Sequence, residues 1–230
     1  MSIAENLTEV RNRIVAAAQR AGRDPADVRL VAVSKAIPVA RLKEAMAAGQ
    51  SLFGENYLQE AQPKIAALGE AAHWHFIGHL QSKKARGVVG VFGLIHSVDR
   101  LKLAQALEQA AAGLGCVQDI LLQVNLAGEA SKSGTAPGEA AALLEAIGKL
   151  PHLRVRGLMT MPPWFAEPER VRPYFRALRE LRDRLEDLHP GKSGLPDLSM
   201  GMTGDFEVAV EEGATLVRVG TAIFAERPAP

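Results

Sequence analysis

Cysteine is nearly absent. Cys116 stands alone, so no internal disulfide can form and no cysteine-based metal site is available. Aromatic side chains are sparse, with Tyr57 and Tyr174 the only tyrosines. No aromatic residues interleave the basic run Lys83, Lys84 and Arg86, so a nucleic-acid stacking surface is not expected. An excess of either charge is also missing: 27 Lys and Arg against 26 Asp and Glu leave a formal net charge of +1. No global field draws in nucleic acid or a membrane surface. No apolar run approaches the roughly 20 residues that span a bilayer. The opening MSIAENLTEV has neither the basic nor the apolar region of a secretory signal. The expectation is a cytoplasmic protein.

What the chain does have is a rhythm. A helical stretch comes first, at 3–21, with Ile3, Leu7, Val10 and Ile14 on one face and Gly22 as its stop. Short β-prone runs then alternate with amphipathic helical stretches. The runs are 30–35 (LVAVSK), 52–56 (LFGEN), 73–79 (HWHFIGH), 94–99 (LIHSVD), 120–126 (ILLQVNL), 153–161 (LRVRGLMTM), 195–202 (LPDLSMGM) and 216–224 (LVRVGTAIF). Several are apolar on both faces, as parallel strands buried on both sides require. Among the helices, Pro38 suits a first helical position and Gly49 a stop, and Asp99 suits the cap of a helix closing near Gly113. Leu143, Leu144, Ile147 and Leu150 form one stripe. Val171, Phe175, Leu178, Leu181, Leu185 and Leu188 form a longer one, with a break at Pro190-Gly191.

Eight such units in 230 residues predict a single-domain α/β protein, a (β/α)₈ TIM barrel spanning 1–230, with segment 1–22 as an extra helix packed on it. An open doubly wound sheet shares the pattern, because strand order is not readable from one sequence. The chain stops six residues after the last run, so no second domain is expected to follow.

In such barrels chemistry sits at the C-terminal ends of the strands. Lys35 closes the first run. A lysine there either snorkels to solvent or, desolvated, presents a neutral amine that attacks an aldehyde. The last two runs end in glycine-rich segments with hydroxyls, Ser199 to Gly204 and Gly220-Thr221. These suit the usual barrel phosphate site, with 205–212 as a short helix, or are simply turn glycines. Arg218 shares a face with Leu216 and Gly220. If that face looks inward, its guanidinium needs a ligand atom or a carboxylate. His73 and His75 show no third metal ligand, so core or surface histidines are expected and no metal site. The arginines from Arg170 to Arg184 alternate with acids, Glu180–Arg184 at i,i+4 among them, and read as a salt-bridged outer face.

Several segments together resemble the YggS/PROSC family of pyridoxal 5′-phosphate (PLP) homeostasis proteins. They are VAVSKAIP (31–38), FGENYLQE (53–60), WHFIGHLQSKKAR (74–86), IHSVD (95–99), GEASKSG with Glu129, Lys132 and Gly134, RGLMTM (156–161), LSMGMTGDFEVAV (198–210) and VRVGTAIF (217–224). The resemblance implies a barrel similar to the N-terminal domain of alanine racemase, with PLP as cofactor. Lys35 matches the lysine that forms a Schiff base with it. Ser199, Gly220 and Thr221 match positions around the phosphate, with Met202 and Thr203 helping through their backbone. Arg218 matches the arginine facing the pyridine nitrogen, and Asn56 and His79 match pocket-lining positions. Lys83 stands where the family usually has asparagine, and Thr203 where it usually has serine.

The role so implied is intracellular PLP (vitamin B6) homeostasis and amino-acid balance, by a monomeric carrier that serves PLP-dependent apoenzymes. No robust catalysis and no catalytic residue are expected, since neither tyrosine is an obvious second acid/base. Two alternatives share the barrel: a weak amino-acid racemase or other PLP enzyme of the same fold type, and an aldolase using Lys35 on a sugar phosphate.

Overall fold

The computed structural model describes residues 1–129, 132–188 and 194–225. Its strands are β1 (Arg29–Val33), β2 (Leu52–Glu55), β3 (His73–Phe76), β4 (Leu94–Val98), β5 (Gln118–Val124), β6 (Leu153–Thr160), β7 (Asp197–Ser199) and β8 (Leu216–Val219). All pair in parallel in chain order, and β8 pairs back onto β1 with Val31 beside Arg218. The barrel is closed, which excludes the open sheet.

The helices are α1 (Ile3–Arg20), α2 (Val39–Ala47), α3 (Leu58–Leu68), α4 (Ala85–Val88), α5 (Leu101–Leu114), α6 (Ala140–Ile147), α7 (Arg172–Leu188), α8 (Phe206–Glu211) and α9 (Thr221–Phe224). A capping box starts α1: Ser2 Oγ accepts from the Glu5 amide, and Glu5 accepts from the Ser2 amide. Its buried face carries Ile3, Leu7, Val10 and Ile14, and Asn6 Nδ2 donates to the Ile223 carbonyl at 2.9 Å. The segment therefore packs against α8 and α9. The apolar core has two parts. Most of it lies between strands and helices, and a second cluster, Val31, Leu94, Leu121, Met159 and Leu216, fills the barrel interior.

A bulge between β5 and β6 lets Leu121 pair with Gly157 after Ile120 has paired with Val155. Gly157 is required there. Its φ is 153°, and a Cβ would lie 1.8 Å from the Asp197 carbonyl oxygen.

Several local expectations need correction. The run 216–224 splits into β8 and the helical turn α9, because Ile223 and Phe224 turn inward and are buried beneath α1. The run 195–202 keeps only three residues as strand. Asp99 does not cap α5. Arg100 Nη1 engages its carboxylate at 2.5 Å, and Arg100 itself holds the cap position. That helix runs to Leu114 and stops at left-handed Gly115 instead of Gly113. Pro38 stands at the cap of α2, one residue before the helix. Leu188 is exposed, and Pro190-Gly191 lie outside the described residues. Among the described residues no ion pair joins Glu180 to Arg184. Arg172, Arg176 and Arg179 reach Glu212 instead, because it is buried at the end of α8 against which α7 packs.

Candidate cofactor site

Lys35 follows the end of β1 and sits on a buried polar clamp. Ser34 Oγ donates to Glu55 Oε1 at 2.7 Å. Lys64 Nζ donates to the same oxygen at 2.6 Å and to the Ser34 carbonyl at 2.7 Å. Burial pushes the Glu55 carboxyl up, with Lys64 and Ser34 pulling the other way. Just after Lys35 the backbone turns left-handed at Ala36, φ 59°, and the Ala36 amide donates to Glu60 Oε2 at 3.0 Å. These contacts aim the lysine while leaving its head group free. Lys35 Nζ lies 5.4 Å from the Tyr57 ring centroid and forms no ion pair among the described residues.

Arg218 is buried in the barrel, as alternation with Leu216 predicts, and is clamped from two sides. Nη1 donates to Ser199 Oγ at 2.5 Å, and Nη2 donates to the Thr160 carbonyl at 2.9 Å. Among the described residues Nε has no acceptor. Burial pushes its pKa down to about 10, with Asp205 opposing, so it remains a cation at neutral pH. The contacts continue inward: Ser199 Oγ to His96 Nδ1 at 2.8 Å, then His96 Nε2 to His75 Nδ1 at 3.0 Å. A guanidinium only donates, so Ser199 accepts from Arg218, and the one other partner its hydroxyl proton has among the described residues is His96 Nδ1. His96 then carries its proton on Nε2 and donates to His75. Both rings are neutral. Burial, with neighbouring positive charge adding, holds His96 well below its ordinary value and His75 down to about 3.

The segments after β7 and β8 supply the anion side of the site. Asp205 Oδ1 accepts from the Met202 amide at 2.6 Å and tightens the turn into α8. Gly201, φ 91°, is needed because a Cβ there would come within 2.6 Å of Ala209 Cβ. Among the described residues, the backbone amides of Thr203, Gly204, Gly220 and Thr221 have no acceptor, while Thr203 Oγ1 accepts a long contact of 3.5 Å from Ala222.

The other expected residues divide. Asn56 stands at the mouth with Oδ1 buried and unpartnered. His79 is exposed, its Nδ1 3.0 Å from Ser133 Oγ. Lys83 is exposed. Ser199 is fully buried, with its hydroxyl in contact with Arg218 and His96. Sequence reasoning missed His96, Glu60 and the nearness of Tyr57 to Lys35. His96 had a signal, since it lies on the inward face of an all-buried strand. No group of three or more metal-ligating side chains occurs among the described residues.

A free lysine, a clamped arginine with its Nε–H unused, four unused amides and an orphaned amide oxygen thus gather at one end of the barrel. Residues 6–228 match the family described as alanine racemase, N-terminal domain. The pyridoxal phosphate homeostasis protein of Pseudomonas aeruginosa is 54% identical, over 98% of this chain and 96% of that one. The chain belongs to the pyridoxal phosphate homeostasis protein family. The Escherichia coli member is 44% identical over 98% of this chain and 97% of its own. Among solved structures, PipY of Synechococcus elongatus with PLP bound superposes with a TM-score of 0.86 at 38% identity, covering 97% of this chain and all of that one. Alanine racemase from Corynebacterium glutamicum, 20% identical, matches with a TM-score of 0.73 over 99% of this chain and 62% of its own, which shows the shared barrel alone.

Proposed function

We propose that this protein binds PLP at the C-terminal mouth of the barrel, holds it covalently through Lys35, and serves as a carrier in PLP homeostasis. The observation that carries the reading is Arg218, locked from below by Ser199 and Thr160 with its Nε–H left over. The pocket fits the cofactor on its own evidence: Asn56 Oδ1 lacks a partner, and unused amides cluster beside Gly220. PLP supplies an aldehyde that condenses with a primary amine. Thr203, Gly204, Gly220 and Thr221 would hold the phosphate by their amides, with the Thr221 hydroxyl assisting. Arg218 would donate to the pyridine nitrogen and keep it unprotonated, which suits holding the cofactor over deep carbanion chemistry. Asn56 and His79 would border the ring.

On this reading the protein is cytoplasmic, acts as a monomer and passes PLP to dependent apoenzymes. The decisive test compares visible spectra of wild type and Lys35→Ala, followed by borohydride reduction and peptide mapping. Absorption in wild type that shifts in the variant, with the reduced adduct on Lys35, is the expected result. A protein that stays colourless with added PLP would sink the reading.

One observation favours a second reading, slow amino-acid racemisation. The Tyr57 ring centroid lies 5.4 Å from Lys35 Nζ, which brings an aromatic hydroxyl-bearing side chain to the same mouth. Exchange of an amino acid's α-hydrogen with D₂O, lost in Tyr57→Phe, would support it, and no exchange above a protein-free control would leave the carrier.

A further inference from the structure

At the end of the barrel opposite Lys35, the starts of β1, β7 and β8 open into a cleft of about 720 Å³ bordered by the ends of α1 and α8 and by α7. Arg23, Arg29, Arg179 and Arg182 all line it. Three of them are pinned alike. Arg23 Nη1 donates to the Val210 carbonyl at 2.5 Å, Arg179 Nη1 to the Glu212 carbonyl at 3.0 Å, and Arg182 Nη1 to the Leu195 carbonyl at 3.3 Å. Arg23 has only that carbonyl, which fixes a guanidinium without neutralising it, whereas Arg179 also pairs with Glu212 at 3.1 Å and Arg182 with Asp183 at 2.6 Å. Among the described residues, Nη2 of each of the three has no acceptor.

The nearby acids are largely committed. Glu211 pairs with Arg20 and Arg172, and Asp197 with Arg29. Glu212 is shared by Arg172, Arg176 and Arg179. Burial pushes the Arg23 guanidinium below its ordinary value, and Arg179 and Arg182 push the same way, with Asp27 alone opposing. Converging like charges, held rigidly and partly dried, are what an oxyanion relieves.

We propose that this cleft binds a small anion bearing phosphate or carboxylate groups, between Arg23, Arg179 and Arg182. Its size suits a metabolite more than a bare ion, since small-molecule pockets run from about 300 to 1,000 Å³. The site is separate from the cofactor mouth and uses guanidinia where the mouth uses backbone amides.

The test is calorimetric titration of the PLP-saturated full-length protein with inorganic pyrophosphate in one arm and citrate in the other. Loading with PLP fills the mouth, so a phosphate cannot report from there, and the cofactor spectrum monitors loading independently. Saturable one-site binding is expected in at least one arm, weakening with added salt and leaving the cofactor spectrum unchanged. The arm that saturates tells phosphate from carboxylate chemistry. Arg23→Gln and Arg182→Gln should each weaken it about tenfold, the loss of one charge-assisted hydrogen bond. Arg23→Lys keeps the charge without the fork and should weaken it less, which separates ligand contact from a disturbed fold. Absence of saturation into the millimolar range in both arms, or binding indifferent to all three substitutions, would overturn the proposal.

Discussion

Ala36 adopts a left-handed conformation that costs an L-residue about 1–2 kcal/mol. It does so immediately after Lys35, held by the carboxylate of Glu60. Replacing it with glycine removes the strain, partly offset by the greater unfolded-state entropy of glycine, so Ala36→Gly should gain stability by up to about 1 kcal/mol in urea denaturation. The same change should loosen the direction of Lys35, read as slower borohydride-trappable adduct formation with added PLP. A loss of stability would show that the turn is unstrained. Ser199→Ala acts in the opposite sense. It leaves Arg218 Nη1 and His96 Nδ1 buried without a partner, at a cost of roughly 1–3 kcal/mol. If Ser199 supports the arginine, the cofactor absorption shifts while phosphate-dependent retention of PLP persists. If it touches the phosphate directly, retention falls instead.

Between elements, the pair Glu55–Lys64 ties β2 to α3 beneath the end of β1. Both side chains are buried, so removing one leaves the other uncompensated. Lys64→Met should cost roughly 3 kcal/mol, and adding Glu55→Gln should recover part of it, as a double-mutant cycle of unfolding free energies would show. Independent effects of the two changes would exclude the clamp.

Much at this scale was legible in the residues. Period-two and period-3.6 patterns located every strand and most helices, because burial on two faces or one stripe leaves its mark on composition. VRVGTAIF misled because β-branched Val217, Val219, Thr221 and Ile223 favour a strand locally, whereas the helical turn at Thr221 is imposed by packing under α1. Lys35, Arg218 and the glycines stood out because their types are unusual at strand ends. The link from Arg218 through Ser199 and His96 to His75 did not stand out, since it joins β8, β7, β4 and β3, and contacts across a barrel depend on register and tilt that no local pattern encodes.

For the molecule as a whole, the paired histidines set a pH dependence. In the unfolded chain His75 and His96 titrate near 6.5, whereas in the fold His75 does so at about 3 and His96 well below its ordinary value. Between those limits the unfolded state binds more protons. Their effect on stability is therefore flat above pH 6.5 and becomes a growing loss as pH falls towards 3. Each histidine contributes a slope of up to about 1.4 kcal/mol per pH unit inside that window. Unfolding free energies at pH 7 and pH 5 should differ accordingly, and His75→Gln should flatten the difference by about half. An unchanged slope would place the protonation elsewhere.

The candidate site also has a position in time. Lys35 and Asn56 follow the first two strands and Arg218, Gly220 and Thr221 belong to or follow the eighth, yet they meet across the seam where β8 closes onto β1. A growing chain still lacking its final strand has a reactive amine but no arginine and no phosphate cradle. On the proposed reading, capture of the cofactor waits for β8 to close onto β1, so that occupancy certifies a closed barrel.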